Sequence, residues 1–396
     1  MFKVSVIGQG YVGFPLAVTI ASIGYKEIGI DINVSLVAEL NKGEPSFLNQ
    51  DRPKLSSLIE NGLYKASTNI YDAMGSDVII ICVPTPLTQA GLPDLNYLIS
   101  ATKSISKCIT LETLVVFEST VAPGTTREIL MQLLESESKI NKDDLQIAFS
   151  PERIDPLNTF WNVTNTPKLV AGANKSSLKR ALEFYSQFIE EVVPVDSIEV
   201  AEIAKLLENS FRLINVSFVN ELAIFCNKYG VEINDVIRAA SSKPYGFMPF
   251  YPSLGVGGHC IPVDPIYLSD KAKQVGSPLT MIDLANHINK KMPSYFIRRA
   301  DEKIGGLKGK KILILGLAYK PNISDTRESP VEPLIKDLRY QGAIVAWHDN
   351  LVGEWNGEKS VDLGTNYDLA ILATPHDYFD LSKLGNVPIL NTRGSL

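Results

Sequence analysis

The sequence predicts an α/β protein in three parts. These are an N-terminal doubly wound α/β domain over residues 1–196, a central helical domain with one long helix over 197–304, and a smaller C-terminal α/β domain over 305–396. Three observations carry this expectation. Apolar runs rich in Val and Ile alternate with amphipathic stretches in the first part; the pattern stops near residue 197; and it returns abruptly at Ile312. A chain of 396 residues also exceeds what one hydrophobic core of usual size serves.

In the first part the runs at residues 3–7, 27–30, 78–83, 114–117 and 147–149 read as strands, with helical patterns between them, for example at 15–23 and 95–106. Apolar runs without polar alternation suit parallel strands covered on both faces, and strand–helix alternation makes a doubly wound sheet. Residues 200–230 contain no Pro or Gly before Gly230, and Val200, Ile203, Leu207, Phe211, Ile214, Phe218 and Phe225 recur at helical spacing. A Pro/Gly-rich loop at 243–265 interrupts the helical text, which resumes to about residue 304. Runs at 312–317, 344–347, 369–373 and 388–390 give the last part its strands.

Composition narrows the function. Hydrophobic residues make up 45% of the chain and charged ones 21%, ordinary for a globular protein. The net charge of −6 comes without a basic run, so the electrostatic footprint of nucleic-acid binding is missing. No apolar run approaches the roughly 18 residues that a bilayer span requires. Met1 leads straight into a strand pattern, so no signal peptide is expected. Cys82, Cys108, Cys226 and Cys260 are far apart, the histidines are as dispersed, and there is no CxxC or HExxH. Neither a disulfide framework nor a metal site is expected, and a reducing cytoplasm is the expected setting.

The opening KVSVIGQGYVGFPLA places Gly8, Gly10 and Gly13, with Val12 beside the third, between a strand and a helix. The first glycine permits a tight turn, the second lets the backbone approach a pyrophosphate, and the third lets helix pack on strand. Asp31, 18 residues past Gly13 at the end of the second strand, is placed to hold the adenosine ribose hydroxyls and to repel a 2′-phosphate. The implied cofactor is NAD rather than NADP.

Two more strands of this domain end in polar text, at Pro84-Thr85-Pro86 and at Glu118-Ser119-Thr120. Ligands sit beyond the carboxyl ends of strands in open parallel sheets. Thr85 and Thr120 are therefore expected to face the cofactor, turn capping being the alternative. Glu152 in FSPER follows a further strand at the same edge, as a candidate base or as half of a salt bridge.

Cys260 sits in YPSLGVGGHCIPVDP, where Gly255, Gly257 and Gly258 allow close backbone approach to a ligand and Pro262 and Pro265 stiffen the exit. A cysteine in such a loop is a candidate nucleophile, whereas Cys82 in a core strand and Cys226 in the long helix read as small buried hydrophobes. Adjacent residues rarely bond each other productively, so Lys205 rather than His259 is the expected activator, an ammonium being able to stabilise a thiolate. Asn209 lies one helical turn from Lys205 on the same face. Both can stabilise an oxyanion, a solvated surface lysine being the plainer reading. Asp264, four residues past Cys260, can pair with that lysine or act as a base.

Together, GQGYVG, PTP, STVAPGTT, FSPER, AKLLEN, GVGGHCIPVDP and YKPNISDTRESP resemble the UDP-glucose/GDP-mannose dehydrogenase family along essentially the whole chain. The resemblance implies a Rossmann-like NAD-binding domain, a central helical dimerisation domain carrying the cysteine loop, and a C-terminal domain that binds a UDP-sugar. It implies Cys260 as nucleophile with Lys205, Asn209 and Asp264 around it, Glu152 in thioester hydrolysis, and Thr120 ordering water near the cofactor. By the same resemblance Lys320 reaches the substrate and Arg327 the cofactor. Tyr251, Ser253 and Gly257 of the 249–257 loop contact the sugar nucleotide, and Arg393 of the terminal NTRG a substrate phosphate.

One departure is informative. Where UDP-glucose dehydrogenases carry Phe or Leu, then Pro-Lys-Asp, after the cysteine, this chain has Ile261-Pro262-Val263-Asp264. GGHCIPVDP is similar to the branch acting on UDP-N-acetylhexosamines, and both the UDP-N-acetylglucosamine and the UDP-N-acetylmannosamine 6-dehydrogenases are resembled. The implied chemistry carries a C6 hydroxyl to a uronate through a cysteine thiohemiacetal and thioester, in a homodimer or higher homo-oligomer assembled through the long helix. A UDP-glucose 6-dehydrogenase is the alternative within the family. A two-electron 3-hydroxyacid dehydrogenase explains the glycines and Lys205 but needs neither Cys260 nor a third domain. A silent NAD-binding regulator has no use for Lys205, Asn209, Cys260 and Asp264 together.

Overall fold

The computed structural model describes residues 2–45, 52–154, 158 and 160–394. The chain divides into two compact units, Met1–Leu207 and Glu208–Leu396.

The first unit is built on strands β1 (Lys3–Ile7), β2 (Lys26–Ile30), β3 (Tyr64–Ser67), β4 (Val78–Ile81), β5 (Leu114–Phe117), β6 (Gln146–Phe149), β7 (Lys168–Gly172) and β8 (Val192–Pro194). They lie in the order β3-β2-β1-β4-β5-β6-β7-β8, parallel except where β7 runs against β6. Its helices are α1 (Gly13–Ser22), α2 (Val34–Asn41), α3 (Arg52–Glu60), α4 (Asn96–Ile105), α5 (Met131–Ser138) and α6 (Lys175–Tyr185). Val78 and Ile80 of β4 pack with α1 and α6 on one face, and Ile79 and Ile81 with α4 and α5 on the other. Both faces are thus covered, which is why β4 reads as an unbroken run of Val and Ile. Successive strands step outward from β1 on one side and from β4 on the other, so the order reverses between β1 and β4. That is the switch point at which open α/β sheets bind ligands.

Helix α7 (Ile198–Tyr229) begins in the first unit and ends in the second. The second unit continues with α8 (Ile233–Ser241), α9 (Asp264–Gln274) and α10 (Thr280–Ile304). Beyond these lie β9 (Lys311–Leu315), α11 (Val331–Tyr340), β10 (Ile344–His348), a short antiparallel pair β11 (Glu354–Trp355) and β12 (Glu358–Lys359), β13 (Leu369–Leu372) and β14 (Ile389–Asn391). The parallel order β10-β9-β13-β14 matches β2-β1-β4-β5 of the first unit. The turns after β1 and β9 match as well. The amide of Gly8 donates to Ile30 O at 2.7 Å and that of Gly316 to His348 O at 2.9 Å, and both glycines have positive φ, 93° and 85°.

The structure amends several expectations. The strand expected over 78–83 ends at Ile81, just before Pro84, which has no N–H to extend a ladder. Cys82, read as a buried strand residue, stands just past that strand and is partly exposed. Strands β3, β7 and β8 were not marked by the apolar runs, since YKAS and VVP are too short and mixed to stand out. The apolar spacing of α7 is real, but its side chains do not face the core. Val200, Ile203, Leu207, Phe211, Phe218 and Phe225 are all exposed, Phe218 at 62%, while Glu202, Lys205, Asn209, Ser210, Ser217 and Asn220 are buried. Among the described residues no helix is long and apolar enough to cross a membrane.

Candidate active site

The glycine turn lies at the switch point. A Cβ on Gly8 would stand 2.6 Å from Cys82 O and one on Gly13 1.9 Å from Gly8 O, whereas one on Gly10 would meet no protein atom within 4 Å. Packing of the turn against the neighbouring strand therefore demands the first and third glycines, while the second leaves the backbone open to a ligand. Asp31 follows β2 and is tied to the same turn. Its Oδ2 accepts the amide of Gln9 at 2.8 Å and its Oδ1 that of Asn33 at 2.9 Å. The Gln9 side chain folds inward, where Tyr64 Oη donates to its Oε1 at 2.9 Å. A carboxylate aimed this way beside an open glycine fits the adenosine ribose of a dinucleotide. Thr85, buried, and Thr120, half-buried, follow β4 and β5 at the same carboxyl edge.

Two loops at that edge are anchored to the start of α7. Lys205 Nζ lies 3.6 Å from Glu152 Oε2, and both side chains are at most one-tenth exposed. The amide of Ile154 also donates to Glu152. Of the two readings of Glu152, the structure shows the salt-bridge partner, paired with Lys205. One turn earlier on α7, fully buried Glu202 accepts the amides of Gly124 at 2.6 Å and Thr126 at 3.0 Å. Burial raises its pKa to about 7, against the lowering effect of the Thr126 and Gly124 hydrogen bonds. Glu202 holds the PGTT loop that follows Thr120, and nothing in the sequence singled it out beyond its place three residues before Lys205.

In the second unit, buried Asn209 donates through Nδ2 to Oδ2 of buried Asp264 at 2.6 Å. Asp264 is the first residue of α9, where the helix dipole favours a carboxylate, and its amide donates to Cys260 O at 2.8 Å. Of the four cysteines, Cys260 alone is exposed. Burial, then the Arg327 cation, lower the pKa of His259, which favours the neutral ring and not a cation beside the thiol.

The glycines before Cys260 lie close against protein. A Cβ on Gly257 would lie 2.7 Å from Tyr319 Cβ and 2.8 Å from Glu328 O, and one on Gly258 2.7 Å from the Tyr319 ring. Protein packing by itself requires glycine there: the cysteine loop packs on the segment around Tyr319, and the Gly258 amide donates to Arg327 O at 3.2 Å. Arg327 itself is half-exposed and forks onto Asp325, with Nη2 2.6 Å from Oδ2. Ser253 of the 249–257 loop is held by its amide, which donates to Asn220 Oδ1 at 2.8 Å, while the Tyr251 side chain is exposed. Lys320 is half-buried. The Nε of Arg393 is buried with no hydrogen-bond partner among the described residues. Its neighbours Thr392 and Gly394 line a cavity of about 250 Å³.

A glycine turn at the switch point, with a carboxylate at the end of the second strand, defines a dinucleotide-binding domain of the kind NAD-dependent dehydrogenases carry. The chain belongs to the UDP-glucose/GDP-mannose dehydrogenase family: residues 2–189 match its NAD binding domain, 199–291 its central domain and 313–393 its UDP binding domain. It is 36% identical to Protein CapL of Staphylococcus aureus, over 96% of this chain and 92% of that one. It is 34% identical to the UDP-N-acetyl-D-glucosamine 6-dehydrogenase of Pseudomonas aeruginosa, over 97% and 94%. Its fold is similar to that of the UDP-N-acetyl-D-mannosamine dehydrogenase of Pyrococcus horikoshii, with a TM-score of 0.91 and 30% identity over 99% of this chain and 95% of the other.

Proposed function

We propose that the enzyme oxidises the C6 hydroxyl of a UDP-N-acetylhexosamine, UDP-N-acetylglucosamine or UDP-N-acetylmannosamine, to the uronate. Alcohol, two NAD⁺ and one water give carboxylate, two NADH and three protons. The observation that carries this reading is the exposed Cys260 at the head of α9, its loop closed by Asp264, which buried Asn209 fixes. The names of the Pseudomonas and Pyrococcus relatives and Val263 in the post-cysteine motif support the sugar class.

NAD, when bound, takes up both hydrides. Gly8, Gly10, Val12, Gly13 and Asp31 hold it, with Thr85, Thr120 and Arg327 contributing. The C6 hydroxyl gives its proton to Lys205 or to a water held by Asp264. The Cys260 thiolate adds to the resulting aldehyde carbon, giving a thiohemiacetal whose C–H is the second hydride donor. Loss of that hydride, with the hydroxyl proton passing to the same base, leaves a thioester. Water deprotonated by Glu152 attacks it, the uronate leaves, and the thiolate is regenerated. Lys205 and Asn209 stabilise the oxyanions. Lys320, Tyr251, Ser253 and Gly257 hold the UDP-sugar. Arg393, with its buried unpaired Nε, is suited to a diphosphate oxygen.

These roles fall on an NAD-binding domain over 1–196, a central domain over 197–304 and a UDP-sugar domain over 305–396, a division supported by the three family matches. The exposed apolar face of α7 is covered by a second copy of the chain, and a reducing cytoplasm suits a catalytic thiolate. The experiment is a panel of UDP-sugars incubated with NAD. Two NADH per UDP-N-acetylhexosamine, with little turnover of UDP-glucose, is expected; one NADH per sugar would overturn the reading.

A further inference from the structure

In the second unit two buried polar side chains, Asp349 and His376, anchor the segment that carries Lys320. Asp349, directly after β10, is fully buried. Its Oδ2 accepts the amides of Leu317 at 2.8 Å and Ala318 at 3.4 Å, and lies 3.2 Å from His376 Nε2. On the other side of the ring, His376 Nδ1 accepts the amide of Asn322 at 2.8 Å. A nitrogen that accepts carries no proton, so the ring is the neutral Nε2–H tautomer and donates to Asp349. Asn322 has φ 64°, a left-handed conformation that an isolated chain rarely adopts. Its side chain is clasped by the next residue along from His376: Asn322 Nδ2 donates to Asp377 Oδ2 at 2.7 Å, and the Asp377 amide returns a bond to Asn322 Oδ1 at 3.1 Å.

Asp349 holds the position after the second strand that Asp31 holds in the first unit, and each accepts an amide from the turn after the first strand. Here, however, the carboxylate is engaged by the protein's own histidine.

We propose that Asp349 and His376 are positioning residues for sugar-nucleotide binding. Asp349 orients the His376 ring, and the ring holds the Asn322 amide and with it the backbone bend that presents Lys320, two residues earlier. The proposal rests on the reading that Lys320 contacts the UDP-sugar.

Two variants separate the ends of the ring. His376→Asn places an acceptor near the Nδ1 position, and His376→Gln places a donor near Nε2 without the Nδ1 acceptor. In the full enzyme, His376→Gln raises the KM for the UDP-sugar about tenfold, the equivalent of one lost buried hydrogen bond. Its kcat stays within about twofold, and His376→Asn recovers most of the affinity at a comparable melting temperature. Equal KM values in both variants and the wild type, with only a lower melting temperature, would overturn the proposal. Lys320→Ala is measured alongside: if it leaves KM unchanged, the role of Lys320 fails, whereas a raised KM there with none in His376→Gln counts against the histidine alone.

Discussion

The Asn209 amide and the Asp264 carboxylate meet at 2.6 Å with both side chains buried. The contact joins α7 to the first residue of α9, and the Asp264 amide in turn bonds Cys260 O at 2.8 Å. One side-chain amide therefore fixes the carboxylate of the residue whose backbone N–H closes the cysteine loop, from a helical position one turn beyond Lys205. Asn209→Ala removes an oxyanion donor and leaves a buried acceptor short of a partner. Turnover should fall by a factor on the order of 10²–10³, with a stability loss of about 1–3 kcal/mol. Steady-state kinetics beside a thermal melt measures both, and unaltered turnover removes Asn209 from the mechanism.

We propose that Asp31, whose two oxygens are fixed by the Gln9 and Asn33 amides, sets the choice of cofactor. Asp31→Ala should lower the preference for NAD over NADP, read as the ratio of kcat/KM for the two cofactors. A ratio equal to that of the wild type would mean that the carboxylate does not exclude a 2′-phosphate.

Glu202 gives a pH dependence whose sign is fixed. Burial holds its folded pKa at about 7, above the ordinary 4.5. As pH rises between those values the unfolded chain gives up its proton before the folded one does, so unfolding releases a proton and stability falls. The full effect is about 3 kcal/mol, present below pH 4.5 and lost by pH 7. Glu202→Gln cannot titrate, so its urea midpoint should decline less between pH 5 and 7.5 than that of the wild type. Parallel declines would show that the buried carboxyl does not govern this window.

Much of the fold could be read directly because its strands are covered on both faces, which forces runs such as Val78–Ile81 to be wholly apolar. The short YKAS strand lacked that signature. In α7 the helical period was legible, but the buried face was not. Glu202, Lys205, Asn209 and Asn220 are buried because their partners Gly124, Glu152, Asp264 and Ser253 come from elsewhere in the chain. No local pattern encodes such pairs. The glycine-rich text at Gly257 marks a need for closeness, but not that Tyr319 is one of the groups that come close.

The exposed side of the same helix makes its own prediction. Leu207, Phe211, Phe218 and Phe225 form an exposed apolar stripe, with Phe218 62% exposed, and contiguous apolar surface of this kind marks protein–protein contacts. Phe218→Glu should shift the protein to a smaller species in sedimentation while leaving its far-UV spectrum unchanged. A wild-type chain that sediments as a monomer at all concentrations would refute self-association through this face.

The proposed covalent step rests on Cys260, and Cys260→Ser addresses it with NAD and the preferred UDP-sugar. A serine alkoxide is far harder to form than a thiolate at neutral pH and leaves an ester poorly. Uronate production should therefore fall by orders of magnitude while the cofactor and the UDP-sugar still bind. Uronate released at the wild-type rate would show that no bond to this residue forms during the oxidation.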